Sequence, residues 1–172
     1  MTSYAKSSGR RAVRAALLVA LLLIAAGCRQ ADGPIPTPVD EQPNKISDLA
    51  KDLRNVASRQ PEAESEMRED LEGFDATPRP APLMRQLGDA LIGAAEGSSL
   101  NDAQAEEVAR LLFVLVTGDE LNARQAEQIA GELRNALVGA GAGEDAAGRV
   151  AQSAIELQEA ITLNRERWYH LF

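Results

Sequence analysis

The sequence predicts an all-α fold: a bundle of about four helices, preceded by a proline-rich tether and one or two N-terminal helices. Three observations carry this reading. Apolar residues recur at helical spacing through most of the chain, and no mature segment alternates with the period of a strand. A segment that occurs twice also carries helix start and stop signals at matching places.

The N-terminus sets the class of protein. Lys6, Arg10, Arg11 and Arg14 make a basic start, and the first acidic residue is Asp32. An apolar run from Ala15 to Ala26 follows, which as a helix reaches about 18 Å against ~30 Å for a bilayer's hydrocarbon core. It is too short to span and fits the apolar region of a signal peptide. Small residues then lead into the only cysteine, Ala25-Ala26-Gly27-Cys28.

This stretch resembles the lipobox of bacterial lipoproteins, with Ala25 standing where Leu or Val is commoner. The resemblance implies cleavage between Gly27 and Cys28, a diacylglyceryl thioether on the Cys28 sulfur, and an acyl chain on the new amino terminus. Beyond this covalent lipid no cofactor is expected. Several acyl chains anchor stably where one is marginal, so the membrane is the first expected partner. Arg29 rather than Asp follows the cysteine, which by the same resemblance implies the periplasmic face of an outer membrane. An ordinary signal peptide cut near Ala26, leaving Cys28 as a free thiol, is the alternative. A twin-arginine reading of Arg10-Arg11 is matched poorly by Ala12-Val13-Arg14.

Loss of residues 1–27 removes four of the 18 basic residues and none of the 26 acidic ones, leaving a net charge near −12. Such a surface repels phosphate backbones and argues against nucleic acid as a partner. With no second cysteine, the fold must rest on its apolar core.

Residues 28–44 read as the lipidated cysteine and its tether, because Pro34, Pro36, Pro38 and Pro43 favour extended geometry. N-terminal helices are expected over 45–76. Ile46, Leu49, Leu53 and Val56 form an apolar stripe on a helix from Ile46 to Gln60, which Pro61 ends or kinks. A second, acidic piece runs from Glu62 to Glu72, with Met67, Leu71 and Phe74 for burial. A proline hinge at 77–82 closes this half.

The bundle is expected over 83–172. Leu83, Met84, Leu87, Leu91 and Ala95 share a broad helical face that stops at Gly97-Ser98-Ser99. The repeat follows at an offset of 21 residues, aligning Leu100-Asn101-Asp102-Ala103-Gln104 with Leu121-Asn122-Ala123-Arg124-Gln125. Asn is a strong N-cap, and Gln three residues on reaches back to the cap's own amide, so Asn101/Gln104 and Asn122/Gln125 are expected capping boxes. Leu100 and Leu121 stand where a hydrophobic staple would sit, and Gly118 and Gly139 where each helix should end. Leu111 to Val116 is apolar all round, so the first repeat should be the central helix. After a glycine-rich loop, a last helix is expected from about Asp145 to Arg167, with Val150, Ala154, Leu157 and Ile161 in register.

Residues able to carry chemistry are few. His170 is the only histidine, so no triad or His-rich metal site can be built away from it. The acids Glu62, Glu64, Glu66, Glu69, Asp70 and Glu72 lack the spacing and turn glycine of an EF-hand and read as a solvated face. Gly139 to Gly143 lacks the Lys-Ser/Thr ending of a phosphate loop. No catalytic or metal site is therefore expected. Trp168, Tyr169 and Phe172 cluster at the end, and such residues anchor either a core or a partner contact, a terminal Phe carboxylate included.

The doubled Leu-Asn-x-x-Gln is similar to the Leu-Thr-x-x-Gln motif of the Spy/CpxP periplasmic chaperones and metal-stress proteins, with Asn in place of Thr. Those proteins are all-helical but space the motifs more widely and tend towards a basic cradle. The leading expectation is a lipid-anchored, non-enzymatic cell-envelope protein with a structural or protein-interaction role and an envelope protein as partner. The second is a chaperone or stress-sensing binder of the Spy/CpxP kind.

Overall fold

The structure is a computed structural model that describes residues 43–74, 79–118 and 121–169, of which 164–169 by their backbone alone. Cys28, Gly27, His170 and Phe172 lie outside the described residues. The fold is all-α: α1 (Pro43–Ala57), α2 (Ala63–Glu72), α3 (Ala81–Glu96), α4 (Asp102–Thr117), α5 (Ala123–Gly139) and α6 (Glu144–Tyr169), with no strand among the described residues.

α4 takes the centre because its second half, from Leu111 to Val116, has no polar face to show. Every side chain from Leu111 to Val116 is buried. α1, α5 and α6 cover it, and the ring of Phe74, just after α2, meets Phe113 edge-on at 5.2 Å. α3 and α4, although consecutive, are not neighbours: α1 occupies the space between them and places Leu49, Leu53 and Val56 in the common core. The helices thus run round the molecule in the order α3, α6, α5, α4, α1, and α2 lies outside against α1 and α3. One continuous apolar cluster joins the N-terminal helices to the rest.

Connections fix which ends meet. Ser99 N donates to Ala140 O at 2.7 Å, holding the α3–α4 and α5–α6 corners together at one end. At the other end Gln158 Nε2 donates to Gly118 O at 2.7 Å, which sets the end of α4 beside the second half of α6. Arg54 pairs with Asp102 and Arg68 with Asp89, linking α1 to α4 and α2 to α3. These pairs are exposed and orient the helices more than they stabilise them.

The start signals of the repeat take their full form. Asn101 Oδ1 accepts from Gln104 N at 2.9 Å while Asn101 N donates to Gln104 Oε1 at 3.1 Å. Asn122 and Gln125 repeat both bonds at the same lengths. Gln104 has a second task, because its Nε2 donates to Gly139 O at 3.3 Å. The carbonyl of each repeat's glycine is therefore satisfied by a glutamine amide from another element, Gly139 by Gln104 and Gly118 by Gln158.

Helix ends depart from expectation at three places. Pro43 opens α1 instead of closing the tether, since a first-turn proline lacks only an N–H that would be unpaired anyway. α1 stops at Ala57, before Gln60. The ring of Pro61 disfavours helical geometry at Gln60, and the chain leaves earlier through Arg59 at φ 54°. α5 ends at Gly139 as expected, but the left-handed turn falls two residues on, at Gly141, whose φ is 94°. Both ends close with the same double bond: Gln60 N to Asn55 O and Arg59 N to Val56 O, Ala142 N to Leu137 O and Gly141 N to Val138 O.

Two outcomes follow for chemical denaturation. A Cβ on Gly118 would collide with the backbone oxygen of Val114 and fall 2.8 Å from Leu121 Cδ1, whereas one on Gly139 meets nothing within 4 Å. Gly118→Ala is expected to lose about 1–3 kcal/mol and Gly139→Ala to gain about 0.5–1 kcal/mol. Arg59→Gly, which supplies the residue type found at the equivalent Gly141, should gain about 0.5–1 kcal/mol by relieving the left-handed backbone.

Candidate interaction surface

α6 is the long element of the fold, with 26 residues against 16, 16 and 17 for α3, α4 and α5. Its buried stripe, Ala147, Val150, Ala154, Leu157 and Ile161, explains its docking on the bundle. Because the neighbouring helices begin or end near the level of Gln158, the last turns of α6 run past them. On this stretch Leu163 is 63 % exposed, the one large apolar side chain left open among the described residues.

Beside Leu163 lies a groove of ≈ 280 Å³ between the start of α5 and α6, walled by Leu121, Ala126, Ile155, Gln158, Thr162 and Leu163. Glu127 and Glu159 also line it and make its charge negative. Gln158 is the polar group of the wall. It is only 3 % exposed, its Nε2 is committed to Gly118 O, and its Oε1 is buried with no hydrogen-bond partner among the described residues. An unsatisfied buried acceptor is uncommon and is relieved by any N–H or O–H that reaches it. The arrangement can hold an apolar segment that brings a donor.

The residues singled out from sequence fall in separate places. Asn101, Gln104, Asn122 and Gln125 sit in their capping boxes, and Asn122 also edges the groove. Trp168 and Tyr169 belong to the last turn of α6, beyond Leu163. Among the described residues no group of three or more His, Cys, Asp or Glu is placed to hold a metal. No helix among them is long and apolar enough to cross a membrane.

One cluster was not read from the sequence. Asp52 is 5 % exposed on the flank of α1 that faces α2, where its carboxyl meets that of Asp70. Burial first, then the charge and hydrogen bond of Asp70 and the charge of Glu66, raise Asp52 to about 6 against the opposing pull of Lys51. Burial likewise raises Asp70, with Asp48 and Glu66 adding to it, against the pull of its bond to Asp52 and of Lys51. The acidic run was expected to be a solvated face throughout; Asp70 instead turns inward because Ala63, Met67 and Leu71 draw that side of α2 onto α1. The available signal was Asp52 itself, three residues after Leu49 and four before Val56, an acid on an apolar stripe.

Comparison with protein-family models, curated proteins and solved structures gives no match. The groove is tested by Gln158 itself. Gln158→Ala should lower stability in urea by about 2–3 kcal/mol, from the cavity and the lost bond to Gly118. Gln158→Met should lose less than about 1.5 kcal/mol, since it fills the volume and removes the stranded acceptor.

Proposed function

We propose that this protein is a lipid-anchored, non-enzymatic component of the bacterial cell envelope whose helical domain binds another envelope protein through the outer end of α6. The anchor rests on Cys28 and the signal-like sequence before it, and the periplasmic face of an outer membrane on Arg29. The contact rests on one observation: Leu163 stands exposed beside an apolar groove in which Gln158 Oε1 lacks a partner among the described residues. A segment inserting an apolar side chain there and donating one N–H would satisfy both. Trp168 and Tyr169 follow in the last turn of the same helix, and residues of these types concentrate binding energy when buried. The doubled Leu-Asn-x-x-Gln is used up in helix capping and lends no separate support to a chaperone role.

Intact mass and detergent partitioning test the anchor. Protein expressed in a diderm host should begin at Cys28 with acyl chains added, and Cys28→Ala should be unlipidated and partition to the aqueous phase. An unlipidated product from both would overturn the anchor. For the contact, a photo-crosslinker at position 163 should trap one protein in intact membranes, while one at Arg134 on the exposed side of α5 should not. Equal labelling at the two positions would remove the α6 end from consideration.

A further inference from the structure

We propose that α2 is a pH-sensitive latch, closed on α1 and α3 while the Asp52 and Asp70 carboxyls share a proton and released when both are ionised.

The geometry makes the requirement. Two carboxylates offer acceptors and no donor, so a hydrogen bond between them needs one proton. Asp52 is almost wholly buried by the packing of α2 against α1, so a second negative charge there is neither hydrated nor opposed by a buried cation. The surrounding charges favour repulsion. α1 contributes Asp48 and Lys51, and α2 contributes Glu66, so one cation faces two further acids. The charged groups that α3 and α4 bring to these helices, Asp89 and Asp102, are also acidic, and each is taken up by an arginine, Arg68 and Arg54.

α2 is the element best able to move. It is short, lies outside the ring of helices, and touches only α1 and α3. Its corner with α1 holds two non-glycine residues in the left-handed region, Arg59 at φ 54° and Glu62 at φ 72°. Such backbone is held only while the packing around it lasts, so opening relaxes it. At its far end Lys45 holds Gly73 O and Phe74 remains against Phe113, which makes that end the pivot. Release uncovers Ala63, Met67 and Leu71, all buried when the latch is closed.

The direction follows from proton linkage. With Asp52 raised from 3.8 to about 6 in the closed state, the closed form holds a proton that the open form has lost. Closure is therefore favoured at low pH and weakens as pH rises between these values, levelling off above the upper one. Between pH 5 and pH 7.5 the equilibrium constant for opening should rise about tenfold.

Hydrogen exchange by mass spectrometry on the full-length chain reads this directly. After correction for the intrinsic pH dependence of amide exchange, peptides from α2 should exchange about tenfold faster at pH 7.5 than at pH 5. Peptides from α5 should show no such change. Asp52→Asn should remove most of the difference, since its neutral amide has no proton to lose, and Asp70→Asn, which takes away the neighbouring charge but leaves Asp52 buried, should reduce it in part should the first variant fold poorly. Corrected exchange of α2 that is independent of pH in the parent would overturn the latch. An undiminished tenfold change in either variant would overturn it equally.

Discussion

The fold depends on one constraint, the need to cover the second half of α4 on every side. A helical stretch that is apolar around its whole circumference is stable in water only when fully enclosed, and Leu111 to Val116 leave that half no face for solvent, while Glu106 and Glu107 keep the first half open to it. Its own hairpin partner α5 and the long α6 cover part of it. α3, which precedes α4 in sequence, packs on α6 instead, and the opening this leaves is filled by α1. The N-terminal helix is therefore a structural wall of the domain. Phe74 closes the remaining edge against Phe113, which brings α2 into the assembly by its last residues more than by its own surface.

The repeat shows how the same local instructions serve two different environments. Asn101 and Asn122 start α4 and α5 with the same pair of bonds. The bodies of the helices then diverge, one enclosed and one with a solvent face of Glu, Arg and Asn residues. Their ends diverge too. Gly118 is required by the Val114 carbonyl and Leu121, which crowd the place a Cβ would take, while a Cβ on Gly139 would meet nothing and the turn falls to Gly141. Duplication of the start signal was kept, and each exit was fitted to its own surroundings.

The all-helical class, the order of the helices and the buried faces were legible in the sequence because periodicity and capping are local. The α6 stripe from Val150 to Ile161 and the enclosed run of α4 could be read without knowing what they touch. Exits were less legible. Pro61 and Gly139 looked like stops, yet the chain turned at Arg59 and Gly141, where the backbone bonds to the preceding turn close best. The candidate site was legible only in part. Trp168 and Tyr169 drew attention by residue type, but the groove needs Leu121 and Gln158, which come together only when α5 lies along α6. The Asp52–Asp70 pair was hidden for the same reason: each acid is ordinary in its own helix, and only the packing of α1 on α2 makes them share a site.

The position of α1 has a mechanical consequence. It is the first of the described helices, and it packs on α2, α3 and α4. Tension arriving from the N-terminal side therefore acts along a helix embedded in the core and must shear it past its neighbours at once. Peripheral helices peel away one turn at a time under load, whereas an enclosed one resists until all its contacts give way together. Load entering the domain at this point would be borne by the packed core, leaving the last turns of α6 unloaded.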